Sequence, residues 1–172
     1  LKNATSDSLQ GGSTITQQYA KIAYLKPEQK LSRKVKEVFV SLKVEATYSK
    51  SEILEKYLNA VYFGRNAYGV EMASRKYFGI KASALDPAQS IVLAALVRSP
   101  ANYDPDFKPG NFARLVIRFN GIKKNMVTRG WLTENEAKLI VFPKFGTSKV
   151  EDINFSNRGH LIAAVKTELS EL

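Results

Sequence analysis

A chain of 172 residues, 44% apolar and 24% charged, is long enough to bury a core and has the composition of an ordinary globular protein. Its net charge of +10 favours anionic partners without choosing among polyanions, lipid headgroups and phosphorylated substrates. Zero cysteines exclude disulfides and thiolate metal sites, and a single histidine argues against a histidine-based metal centre.

The opening stretch LKNATSDSLQ lacks an initiator Met and reads as a polar loop, so a fragment of a longer protein is expected, folded as one domain over 1–172. Gly11 and Gly12 then form a hinge, and Ser13 or Thr14 can cap a helix over Ile15 to Leu25. Thr14, Gln17, Gln18 and Lys21 recur at spacings of three and four and share a face of that helix. Free N–H groups at its start and a lysine beyond could hold a phosphate-bearing ligand; a capped surface helix fits the same residues. No Gly-Lys-Ser/Thr follows, so the stretch is not a P-loop.

Val35, Val38, Phe39, Leu42 and Ala46 predict a second helix over about Ser32 to Tyr48, with that stripe in the core. At its start Arg33 and Lys34 lie four and three residues before Glu37, on the opposite face. They read either as solvated helix pairs worth about 0.3–0.5 kcal/mol each or as a cleft in which bases grip phosphate beside an ionised carboxylate. Ser49 to Glu52 is a capping box opening a third helix, with Ile53, Leu54, Tyr57, Leu58 and Val61 inward. Gly64 and Gly69 bracket a loop, and a short helix runs from Val70 to Phe78, stopped by Gly79. Asp86, Pro87 and Gln89 start the next helix, rich in Ile91, Val92, Leu93 and Leu96. ANYDPDFKPG reads as a loop. Phe112, Leu115, Phe119, Ile122 and Met126 mark a long helix ended by Gly130, and Thr133 with Glu136 caps a short one. From Pro143 to Asn157 the sequence reads as loop, and Leu161, Ile162, Val165 and Leu169 predict a terminal helix. With no alternating strand pattern of any length, the predicted class is all-α.

The blocks GGSTITQQYAK, RKVKE, ILEKYLNAVYFGRNAYGVEMASRKYFG and ALVRSPANYDP, in that order over residues 11–105, closely resemble the peptidoglycan glycosyltransferase domain, family 51, of class A penicillin-binding proteins and monofunctional transglycosylases. RFNGIKKNMVTRGWLTENEA resembles the helical pair that follows. The resemblance implies a lysozyme-like fold, a larger lobe and a smaller membrane-facing lobe around a cleft. It implies an enzyme at the extracytoplasmic face of the bacterial cytoplasmic membrane that polymerises lipid II. In that reaction the 4-hydroxyl of an acceptor N-acetylglucosamine displaces undecaprenyl pyrophosphate from a donor N-acetylmuramic acid, with inversion. By the same resemblance Ser13, Thr14, Gln17, Gln18 and Lys21 line the donor side, with Lys21 near the pyrophosphate. Arg33, Lys34 and Glu37 match the next charged block, where Glu37 is the second essential glutamate, supporting leaving-group departure or cation placement. Asn59, Tyr62 and Arg98 fall in the later blocks as substrate-binding positions. The implied partners are lipid II, the growing glycan strand, the membrane surface and moenomycin-type inhibitors, and nucleic acid is not among them. No organic cofactor is implied; a divalent cation, magnesium or manganese, belongs at the pyrophosphate.

The sequence departs from the family pattern at Val97, where proline is common, and at Ile22, where asparagine is usual. The family's first motif, Glu-Asp-x-x-Phe-x-x-His-x-Gly, which carries the general-base glutamate, has no match in these residues. Glu45, Glu55 and His160 do not replace it, so the 172 residues alone are expected to bind better than they catalyse. NRGHLIAAVKTELSEL, about 157–172, resembles a helix leading into a transpeptidase domain. Two other classes stay open. A lysozyme-like glycan hydrolase would want two carboxylates flanking a glycosidic bond and no pyrophosphate site. A non-catalytic basic module would bind a membrane surface or nucleic acid through charge alone.

Overall fold

The computed structural model of the chain describes residues 14–24 and 31–146, of which 31–35 by backbone alone. The predicted terminal helix at 161–169 lies outside the described residues. Several helices begin where a side-chain oxygen takes a free first-turn N–H. At Ser49 the hydroxyl accepts from the Glu52 N–H at 3.3 Å while the Glu52 carboxylate accepts from the Ser49 N–H at 2.8 Å. The same reciprocal pair forms at Asp86 with Gln89 and at Thr133 with Glu136, so all three predicted starts are observed. Gly79 stops its helix in the left-handed region, φ 72°, its N–H bonded to the Arg75 carbonyl.

The helices are α1 (Ile15–Tyr24), α2 (Leu31–Thr47), α3 (Lys50–Ala60), α4 (Val70–Phe78), α5 (Pro87–Leu96), α6 (Pro100–Tyr103), α7 (Asn111–Thr128) and α8 (Glu134–Leu139), with a 3₁₀ turn at Ala82–Ala84. Among the described residues there is no strand, only an isolated antiparallel bridge between Tyr62 and Tyr68, and the class is all-α. The turn α6 lies in the stretch read as loop. Pro100 at its first position needs no N–H partner, which is enough to start a single helical turn. The chain divides into two compact units, Leu1–Tyr57 and Leu58–Leu172.

In the first unit α1 packs on α2. The predicted core stripe of α2 does not hold. Val38, Phe39 and Leu42 are 40, 70 and 56% exposed and Ala46 is exposed, whereas Glu37, Ser41 and Val44 are buried. The reason lies in the partner helix, whose buried residues are the small Thr16 and Ala20. α2 turns its compact stripe of Glu37, Ser41 and Val44 inward, and the Ser41 hydroxyl is satisfied by the Val38 carbonyl at 2.8 Å.

In the second unit α7 packs against α5, α6 and α8, and α4 packs against α5. α5 buries Ile91, Val92, Leu93, Ala95 and Leu96, nearly all round, because neighbours cover it on several sides. α7 is one-sided: Leu115 and Phe119 are buried, while Phe112, predicted inward, is 52% exposed. Past α8 the chain returns over this core with Phe142, which meets Phe119 edge to face, and Phe145, which stacks on Phe78. Gly146 donates to the Tyr77 carbonyl, and a side chain there would collide with the Phe78 carbonyl. Lys123 of α7 donates to the carbonyls of Ala137 and Ile140 and so closes the end of α8.

The inverted face of α2 predicts opposite sensitivities. Val44→Ala should cost about 1.5–3 kcal/mol in denaturant unfolding and Phe39→Ala under about 0.5 kcal/mol, although phenylalanine is the larger side chain. A larger loss at Phe39 than at Val44 would overturn the assignment of faces. A second prediction concerns acid. The Ser49 N–H and hydroxyl hold the Glu52 carboxyl below its ordinary value of 4.5, those of Thr133 do the same for Glu136, and the Ala82 N–H and Arg75 do so for Glu71. A lowered folded value means that this stability is complete above pH 4.5 and is lost as the pH falls through the folded value. Glu71→Gln should therefore flatten the acid side of the stability curve, measured by urea unfolding at successive pH values.

Candidate functional site

α1 begins with a reciprocal cap. The Thr14 hydroxyl accepts from the Gln17 N–H at 3.2 Å, and the Gln17 side-chain oxygen accepts from the Thr14 N–H at 3.3 Å. Of the two predicted candidates Thr14 is thus a cap, and Ser13 lies outside the described residues. The cap occupies the Gln17 N–H, and the N–H groups of Ile15 and Thr16 have no partner among the described residues. Gln18 is steered from α3, its side-chain oxygen accepting from the Tyr57 hydroxyl at 3.2 Å. Burial raises the Tyr57 phenol above its ordinary value, so it remains a hydroxyl donor at neutral pH.

Lys21 is exposed and sits in the last turn of this ten-residue helix. Its Cα lies six residues past Ile15, roughly 9 Å along the axis at 1.5 Å per residue. A lysine side chain leaning toward the N-terminus, as helical side chains do, spans part of that gap. Glu37 is 4% exposed on the face of α2 that carries Ser41 and Val44. The side chains of Arg33 and Lys34 lie outside the described residues. The first unit thus brings Thr14, Gln17 and Gln18 together at one helix start and holds Glu37 on a buried face of the neighbouring helix.

The second unit holds Asn59, Tyr62 and Arg98. Asn59 and Arg98 are exposed, and Tyr62, 39% exposed, lies beside Tyr68 with ring centroids 4.9 Å apart. Between the two tyrosines the chain makes a tight turn: the Ala67 N–H bonds to the Gly64 carbonyl at 2.7 Å with Arg65 and Asn66 at φ 49° and 54°. Positive angles at both central residues give the primed turn that suits antiparallel flanks. Gly64 and Gly69 are architectural. A Cβ on Gly64 would stand 2.6 Å from the Tyr77 hydroxyl, and one on Gly69 2.6 Å from the Asn59 carbonyl oxygen.

Sequence reasoning missed what fixes this turn. Arg65 donates through Nη2 to Asp104 at 2.9 Å and to Asp106 at 2.7 Å, and through Nε to both Asp104 oxygens. Its guanidinium lies 4.3 Å from the Tyr77 ring centroid. The Tyr77 hydroxyl shares its proton between the Phe63 carbonyl and Asp104. Burial alone would lower the Arg65 pKa; the hydrogen bonds and charge of Asp104 outweigh it and raise it. Burial, then the Asp104 charge, pushes the Tyr77 phenol well up. A charged residue at a left-handed turn position was the one available signal. Among the described residues no group of three histidine, cysteine or acidic side chains could hold a metal ion, and no helix is long and apolar enough to cross a membrane.

Compared with known proteins, residues 1–127 match the family model described as Transglycosylase. Penicillin-binding protein 1A of Aquifex aeolicus is 40% identical over 87% of this chain and 20% of its own length. Penicillin-binding protein 1A of Escherichia coli is 37% identical over 95% of this chain and 18% of its own length. Among solved structures, Penicillin-Binding Protein 1A from Haemophilus influenzae aligns with 81% of this chain and 18% of its own at a TM-score of 0.48 and 22% identity. The chain thus spans about a fifth of the length of the curated relatives it matches.

The Arg65 network predicts its own energetics. Asp104→Ala strands a largely buried guanidinium and should cost about 3 kcal/mol. Asp106→Ala, whose carboxylate is 75% exposed, should cost under about 0.5 kcal/mol. Denaturant unfolding of the two variants checks both, and equal losses would show that Asp104 is no more than a surface partner.

Proposed function

The chain belongs to the transglycosylase family, and we propose that it carries the peptidoglycan glycosyltransferase step that polymerises lipid II into glycan strands in cell-wall synthesis. The reading is supported by one observation above the others, the placement of Glu37. Burying a carboxylate is costly unless it is engaged. α2 nevertheless buries this one while leaving Phe39 and Leu42 in water. Packing on the small Thr16 and Ala20 needs a compact stripe there but no carboxylate in it, and functional groups are where such departures are expected.

In this reading the open N–H groups at the start of α1 receive phosphate oxygens of the leaving group, favoured by the helix dipole. Thr14 and Gln17 hold that helix start in shape, and Tyr57 fixes the rotamer of Gln18. Lys21, Arg33 and Lys34 neutralise charge that grows on the departing pyrophosphate. Glu37 either assists departure or positions a cation. Magnesium is commonly held by one or two carboxylates plus substrate phosphates, which a single glutamate satisfies. Such an ion would supply charge neutralisation at the pyrophosphate. Ser13, Asn59, Tyr62 and Arg98 complete the proposed substrate contacts. The general base is proposed to be the glutamate of the family's first motif, which these residues do not contain. The setting is the extracytoplasmic membrane surface, where lipid II and the growing strand are met and where moenomycin-type inhibitors would compete.

The test uses labelled lipid II and the full gene product. Glu37→Gln keeps the shape and removes the charge, and should lower polymer formation about 10²–10⁴-fold. Glu45→Gln, exposed on the same helix, should leave it unchanged. Full activity in the Glu37 variant would reduce that residue to a structural carboxylate.

A further inference from the structure

The turn between Tyr62 and Tyr68 uses a residue that a reversal of its kind does not need. Its central positions are left-handed, φ 49° at Arg65 and 54° at Asn66. An Asn-Gly pair closes such a reversal readily, without setting a long cationic side chain at a disfavoured angle. Residues held this way persist where their surroundings fix them, and they gather at functional sites. The two tyrosines that flank the turn are exposed, so their rings contribute little to the core. What Arg65 adds is therefore a tie and not a bend.

The tie leads from the turn to the stretch between α5 and α7, which also carries Arg98. Arg65 reaches Asp104 through Nε at 3.1 Å and through Nη2 at 2.9 Å, and Nη2 reaches Asp106 as well, so the planar guanidinium is fixed in angle as well as in distance. The anchor is itself held. Asp104 is buried, its N–H donates to the Pro100 carbonyl at 2.8 Å, and the fully buried Tyr77 donates to its second carboxylate oxygen.

A second contact joins the same two segments independently. Gly64 stands at φ 98°, and a Cβ built there would lie 3.1 Å from the Pro100 Cβ and 3.5 Å from Asp104 Oδ2. The missing side chain lets the turn lie directly on the start of α6. Backbone and guanidinium thus set the turn on one seat.

We infer that Arg65 is a positioning residue for the reaction: it fixes the turn that presents Tyr62 against the Asp104 stretch that carries Arg98, so that these two groups keep one spacing before substrate arrives. Setting them in advance lowers the cost of ordering them at binding. Without the tie the turn still closes, because its backbone hydrogen bonds from Phe63 to Ala67, Ala67 to Gly64 and Gly69 to Val61 remain. Only its angle to α6 is released. The inference rests on the glycosyltransferase reading, in which Tyr62 and Arg98 touch substrate.

The test is steady-state polymerisation of labelled lipid II by the full gene product carrying Arg65→Lys, run well below the Tm measured for each variant. Lysine keeps the charge opposite Asp104 and loses the planar fork. KM for lipid II should rise about fivefold with kcat within about twofold of the parent, because contacts made equally in ground and transition states appear in KM alone. A merely structural arginine would lower Tm and the active fraction, hence kcat, at unchanged KM. Ile91→Val, a core change in α5 outside the network, supplies that second pattern as a control. Tyr62→Ala should raise KM by itself, and Arg65→Lys added to it should raise KM no further, since nothing is left to position. An unchanged KM in Arg65→Lys, or full additivity of the two changes, would overturn the positioning role while polymerisation by the parent leaves the glycosyltransferase reading standing. An unchanged KM in Tyr62→Ala would remove the contact through which Arg65 acts, and the proposal with it. Absence of polymer from the parent protein would overturn the glycosyltransferase reading and this inference together.

Discussion

Asp104 is the point through which the second unit is tied. Its carboxylate takes Arg65 from the turn after α3, Tyr77 from the end of α4 and the Asp106 N–H from its own loop. Its carbonyl takes the side-chain amide of Asn111, which opens α7 and is fully buried. Segments distant in sequence therefore share one residue, and each supplies a donor to it. Charge-assisted hydrogen bonds of this kind gain strength as water is excluded, and the ring of Tyr77 lies over the arginine for that purpose. The arrangement explains why Arg65 accepts a left-handed backbone that a non-glycine residue ordinarily avoids: the strain is local, and the network that holds it is spread over several elements.

The sequence was most legible where the physics is local. Capping boxes at Ser49, Asp86 and Thr133 involve residues three apart, so a string of letters contains both partners, and the stop at Gly79 is set by one residue's angles. Asp104 was invisible because its partners stand 39 and 27 positions away, and because aspartate in a proline-rich stretch ordinarily signals a turn. The α2 helix was located correctly but rotated wrongly. Hydrophobic periodicity says which residues are apolar together; it does not say which stripe its neighbour will accept. Of the candidate site, the helix start at Thr14 was readable from its hydroxyl and its glutamine, whereas the hold of Tyr57 on Gln18 joins two helices and was not.

The rotation of α2 has a chemical consequence. Had Val38, Phe39 and Leu42 turned toward α1, Glu37 would stand in water as one more solvated helix carboxylate. With the helix as it is, Glu37 occupies a buried face beside Ser41, where water screens its charge poorly and an approaching cation is felt strongly. The same rotation puts large apolar side chains on the surface of a protein with a net charge of +10. Packing on the small Thr16 and Ala20 accounts for a compact stripe facing α1 and for the large side chains left outside, but it does not call for a carboxylate within that stripe.

Composition alone gave a basic protein with no indication of where the charge is used. The fold sorts the cations. Arg65 is bound into the Asp104 network, Arg75 pairs with Glu71, and Lys123 closes α8 on its carbonyls. Other helices balance their charges internally: α3 sets Lys50 and Lys56 against Glu52 and Glu55, and α8 sets Lys138 beside Glu134 and Glu136. α7 does not, and its Arg114 has no structural task among the described residues. An exposed arginine stays solvated at little cost, so this one adds to the charge of the surface and not to the stability of the unit.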